Sequence, residues 1–104
     1  MNDQPIPAFD AVHPSGAIMV RSCRGGALHS IALAEQVMDT DAASLAEGIL
    51  RTAEVSFIKS GLEIRAELIA AGSDPGPSPG VPTPQDLDEA TVALEAHTLP
   101  MRQH

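Results

Sequence analysis

A chain of 104 residues has room for one small domain, and this one must pack with aliphatic side chains: it has no Trp or Tyr, and its only Phe residues are Phe9 and Phe57. Acidic residues outnumber basic ones 14 to 6, a formal net charge of −8, which disfavours nucleic acid or an anionic membrane as partner. Cys23 is the one cysteine, which excludes an internal disulfide, so folding needs no oxidising compartment.

The opening MNDQPIPAFDAV has no basic start followed by an apolar run, and no stretch approaches the ~20 apolar residues of a membrane span. We therefore expect a cytoplasmic protein without membrane insertion, export by a route that uses no signal peptide being left open. The chain divides into a flexible N-terminus (1–7), a β-β-β-α domain (8–72), a Pro/Gly-rich linker (73–84) and a short acidic helix with its tail (85–104).

Residues 8–34 read as a three-stranded antiparallel meander. AFDAV supplies the first strand, and HPSG the turn after it: Pro14 fixes φ and Gly16 permits a positive one. Gly25-Gly26 is a favoured two-residue hairpin turn. That turn places Ile18 opposite Leu33, Val20 opposite Ile31 and Ser22 opposite His29 on one face. Met19 then faces Ala32, Arg21 faces Ser30 and Cys23 faces Leu28 on the other. This register puts Cys23 and His29 on opposite faces, so they do not form a nucleophile–base pair.

Residues 40–71 read as one long helix, roughly 45 Å from end to end. Thr40 is the expected N-cap with Asp41 in the first turn, Ser44 to Glu47 offers a second capping box, and Gly72 stands where a C′ glycine belongs. Two apolar stripes run along it. Leu50, Ala53, Phe57, Ile64 and Leu68 make one, with Ser60 and Gly61 in its gap; Leu45, Ile49, Val55, Ile58, Leu62 and Ile69 make the other. One stripe suffices to pack on a sheet. The second predicts a homodimer, with Leu50, Ala53, Phe57, Gly61, Ile64 and Leu68 at the interface. Gly61 costs about 1 kcal/mol relative to alanine in a helix interior, which a close helix crossing would explain. Beyond the linker, Thr83, Pro84 and Asp86 start a short helix whose narrow apolar edge is Leu87, Ala90 and Leu94.

No catalytic constellation emerges. Arg21 and Arg24 beside Cys23 would favour a thiolate, but a small strand residue next to a turn is the simpler reading. His13, His29, His97 and His104 lack metal-ligand spacing, and no CxxC or HExxH occurs. Glu47, Glu54, Glu63 and Glu67 interleave with Arg51, Lys59 and Arg65 as a solvated helix face. We expect no enzyme, no catalytic or metal-ligating residues and no cofactor.

The order of strand, tight hairpin, short acidic stretch and long helix resembles the YbaB/EbfC nucleoid-associated family over residues 9–71. A closer likeness is to EspH-like proteins associated with ESX (type VII) secretion in mycobacteria. It is carried by Pro14, Ser15, Gly16, Val20, Gly26, His29, Leu33, Leu45, Ala46, Glu47 and Ile49. The resemblance implies a YbaB-like α+β fold and a dimeric adaptor whose protein partner belongs to a secretion system. The alternative it implies is a nucleoid-associated protein that contacts DNA through Arg21, Arg24, Lys59 and Arg65.

Overall fold

In the computed structural model, which describes residues 8–23, 27–73 and 81–100, three strands precede the helices. They are β1 (Ala8–Val12), β2 (Ile18–Cys23) and β3 (Leu28–Leu33), followed by a 3-10 turn at Glu35–Asp39, then α1 (Ala42–Ala70) and α2 (Pro84–Glu95). The sheet runs β1-β2-β3 with both pairings antiparallel, the α+β arrangement expected.

Local chemistry places the turns and caps. Gly16 takes φ +76° and donates its N–H to the His13 carbonyl at 2.8 Å, closing the first turn. The expected glycine hairpin at Gly25-Gly26 lies outside the described residues. Asp41, rather than Thr40, caps α1: its carboxylate accepts the Ser44 N–H at 2.7 Å and the Ser44 hydroxyl at 2.9 Å. A carboxylate there also complements the helix dipole, which a threonine cannot do. At the other end, Ser73 donates to the Leu68 carbonyl at 2.9 Å and Gly72 to that of Ile69 at 3.0 Å, a Schellman motif with Gly72 at φ +92°. Nothing lies within 4 Å of a Cβ built on Gly72. Gly72→Ala should therefore cost only backbone strain, about 1 kcal/mol, read as a lower denaturation midpoint.

Register holds for the first four β2–β3 pairs, Ile18↔Leu33 to Arg21↔Ser30, and then shifts. Ser22 faces Leu28 instead of His29, and the Cys23 N–H bonds the Ala27 carbonyl at 2.7 Å. The bulge takes His29 out of the ladder and brings Leu28 opposite Ser22.

The seating of α1 departs most from its apolar periodicity. The side pressed on the sheet is Gly48, Thr52, Ser56 and Ser60, spaced by four and buried, not an apolar stripe. The Ser56 hydroxyl donates to the Phe9 carbonyl, so Ser22 must donate to Ser56, 2.6 Å away. Ser60 donates to the Cys23 carbonyl at 3.0 Å, and Thr52 to the Gly48 carbonyl at 2.7 Å. Small side chains bring the helix backbone close to β1 and β2, and their hydroxyls satisfy one another and the carbonyls they meet.

Apolar packing flanks this polar seam. On one side, Ala17, Ile18, Val20, Val37 and Leu99 form a core joined by Leu45, Ile49 and Ala53. On the other, Ala11, Val55, Ala90 and Leu94 pack with Ile58 and Leu87. The narrow edge of α2 thus docks on the chain's own core. Thr83 and Asp86 cap it reciprocally, the Thr83 N–H reaching Asp86 at 2.8 Å and the Asp86 N–H reaching Thr83 at 3.3 Å. Among the described residues no helix is long and apolar enough to cross a membrane.

Candidate functional site

Sheet pairing places an apolar strip on the surface. Ile31 and Leu33 pair with Val20 and Ile18, so all four point to the face that carries α1, as does Leu28 opposite Ser22. Val20 and Ile18 are fully buried beneath the helix, whereas Leu28, Ile31 and Leu33 are 53%, 42% and 46% exposed. The helix covers β1 and β2 and stops short of β3. On α1, Ala53 packs onto the core built around Ile18 and Val20. Leu50 and Phe57, one turn to either side of Ala53, are 69% and 40% exposed. We group these five large exposed side chains, three on β3 and two on α1, as one apolar strip on the helix-bearing side of the sheet.

The residues expected at a dimer interface are thus divided. Leu50 and Phe57 lie in the strip, Ala53 is partly buried in the core, and Ile64 and Leu68 are half-buried further along the helix. Gly61 has a different neighbour from the one expected. A Cβ there would lie 2.5 Å from Pro82 Cγ, so the close approach it permits is to the segment entering α2 of its own chain. Helix periodicity could not reveal the part played by β3, because it says nothing about how wide a sheet one helix covers.

The candidate nucleic-acid contacts are largely engaged within the chain. Arg21 holds Asp10 through two hydrogen bonds, 2.7 and 2.9 Å, which draw the Asp10 carboxyl below its usual range. Lys59 donates to the Asp10 carbonyl at 2.8 Å and Arg65 to the Pro82 carbonyl at 2.7 Å. Arg24 lies outside the described residues. Arg21, Lys59 and Arg65 thus each donate to acceptors of the chain itself.

A second cluster was not legible in the sequence. His13, 1% exposed, accepts the Ser15 N–H on Nδ1 at 3.0 Å, so its proton resides on Nε2. Nε2 then donates to His97 Nδ1, 3.0 Å away across 84 residues of chain, with the rings edge to face at 5.2 Å. Both rings are therefore neutral in this arrangement. Burial, then the proximity of His97, holds His13 below the ordinary histidine value. His97 lines a shallow, open depression with Glu47, Arg51, Ala93 and Ala96. The pair pins the segment after α2 to the β1–β2 turn, beside Leu99 in the core. Cys23 and His29 are occupied separately: His29 meets the Ser30 hydroxyl at 3.2 Å, and the Cys23 backbone bonds Ala27 and Ser60. Among the described residues no three His, Cys, Asp or Glu side chains converge as a metal site would require.

These features define a small α+β chain, a three-stranded meander under one long helix, with a second helix folded back and one apolar strip left open. The chain belongs to the DUF2694 family, described as "Protein of unknown function (DUF2694)", whose model matches residues 1–100. It is 57% identical over 96 residues to "Uncharacterized protein Rv0028" of Mycobacterium tuberculosis and to "Uncharacterized protein Mb0029" of Mycobacterium bovis. Each match covers 92% of this chain and 93% of the relative. No solved structure matches. The comparisons lend no support to a relationship with the YbaB/EbfC or EspH-like proteins.

Proposed function

We propose that this chain is a non-enzymatic binding protein that acts as a homodimer and serves as an adaptor for another protein. The observation that carries this reading is the open strip of Leu28, Ile31, Leu33, Leu50 and Phe57. A chain with a net charge of −8 associates most readily where it has no charge to bring together, and these five positions are uncharged. The engagement of Arg21, Lys59 and Arg65 with the chain's own acceptors supports a protein partner over nucleic acid. Components of mycobacterial type VII secretion, which the EspH-like framework suggests, are the first partners to test.

Light scattering on the purified chain tests the dimer, and fluorescence anisotropy with duplex DNA tests the alternative. Leu50→Asp sits on an exposed position, so it should leave the circular dichroism spectrum intact while weakening the dimer at least tenfold. A wild type that stays monomeric at high micromolar concentration removes the proposal. Tight duplex binding at physiological salt promotes the nucleoid reading instead, with Arg21, Arg24, Lys59 and Arg65 as its contacts.

A further inference from the structure

We infer that the dimer forms by antiparallel pairing of β3 with β3 of a second copy, giving a continuous six-stranded sheet. The inference rests on the homodimer reading above and adds to it the element that makes the contact.

The ladder identifies which backbone groups are open. Ala34 donates to the Ala17 carbonyl at 2.8 Å, and the antiparallel alternation from that pair directs Ala32 and Ser30 inward to β2. Ile31 and Leu33 then turn their N–H and C=O groups outward, where no described residue bonds them. Exposed strand edges of this kind are normally blunted by charge or proline. The strand LHSIAL carries neither, whereas β1, the opposite edge, carries Asp10 in its ion pair with Arg21. One edge of the sheet is protected and the other is open.

A second copy fits this edge better than an unrelated strand because the open groups are self-complementary. Antiparallel pairing about a two-fold axis at Ala32 sets the outward donors and acceptors of Ile31 in one β3 against those of Leu33 in the other. Ile31 and Leu33 point to the helix-bearing face, so both α1 helices come to lie on one side of the joined sheet. Leu50 and Phe57 of each copy then flank the seam made by the two β3 strands. A single contact thereby covers both the exposed strand and the exposed helix stripe. The exposed parts of the five apolar side chains amount to roughly 500 Å² per copy, so their complete coverage in the pair takes at most about 1,000 Å² from water, the lower end of the range for a specific interface.

The test places single cysteines at Ser30, Ile31 and Ala32 in a Cys23→Ser background, with Val12→Cys on β1 as control. Residues paired at a two-fold axis lie about 5 Å apart at Cα, within disulfide reach. Mild oxidation should convert at least one β3 variant to covalent dimer, at a yield at least tenfold above the Val12→Cys control. Ile31→Lys, a charge on the open edge, should raise the dimer dissociation constant at least tenfold with its circular dichroism unchanged. A dimeric background protein in which no β3 cysteine cross-links, and in which Ile31→Lys remains dimeric, overturns edge pairing while leaving the homodimer standing. A monomeric background protein overturns both.

Discussion

Ser56→Leu should unfold the protein, or leave it so destabilised that it melts near room temperature. Ser56 is fully buried between α1 and the sheet, and its hydroxyl links Ser22 to the Phe9 carbonyl. A leucine forces the helix off the strands, an overpacking cost of about 1–3 kcal/mol. It also strands the Ser22 hydroxyl and the Phe9 carbonyl, at about 1–3 kcal/mol for each buried group left unpaired. Together these approach the whole stability of a small domain, about 5–15 kcal/mol. Ser56→Ala separates the two costs, because it keeps the volume small and removes only the hydrogen bonds. It should still fold, with a loss of about 2–6 kcal/mol in urea titration, the sum for the two groups left unpaired. A leucine variant as stable as the alanine variant would mean that α1 does not rest on its serines.

Acidification should loosen the protein through His13, and the sign follows from burial. The folded chain holds the His13 pKa below its unfolded value of 6.5, first by desolvation and then by the nearby His97. The unfolded chain therefore binds the proton more tightly. Stability from this residue is complete above the unfolded value and is lost as the pH falls from about 6.5 through the lower folded value. Protonation at Nδ1 would also set an N–H against the Ser15 N–H it now accepts. The groups around the pair are Ser15 on the turn, His97 after α2, and Glu47 and Arg51 of α1 beside His97. Asp10 and Asp41, held below 3.8 by their hydrogen bonds, titrate well under this window. The melting temperature should fall between about pH 7.5 and pH 5 at fixed protein concentration. His13→Asn, whose side-chain oxygen can still accept the Ser15 N–H, should flatten that dependence. An unchanged slope in His13→Asn would assign the acid sensitivity to another group.

The residues that set turns, caps and pairing act within a few positions of themselves, and for that reason they could be read from the chain. Gly16 and Gly72 take the positive φ that other residues resist, and Thr83, Pro84 and Asp86 start α2 through bonds spanning three residues. The alternation of Ile18, Val20, Ile31 and Leu33 fixed the β2–β3 register as far as Arg21, since a one-residue slip would have reversed their face. Even the choice of Asp41 over Thr40 as N-cap was a matter of one residue.

The tertiary structure decided which side of α1 faces the sheet. Apolar periodicity measures the area a helix can bury, and by that measure Gly48, Thr52, Ser56 and Ser60 are the weakest stripe. They win because small side chains allow close approach, and because their hydroxyls cost little to bury once bonded to one another and to backbone carbonyls. That choice turns Leu50 and Phe57 to solvent and sends Val55 and Ile58 to α2. It also decides that β3 stays uncovered, a matter of sheet width against helix width. The His13–His97 bond belongs with these: two side chains 84 residues apart share no period, and only the folded chain brings them within 3.0 Å.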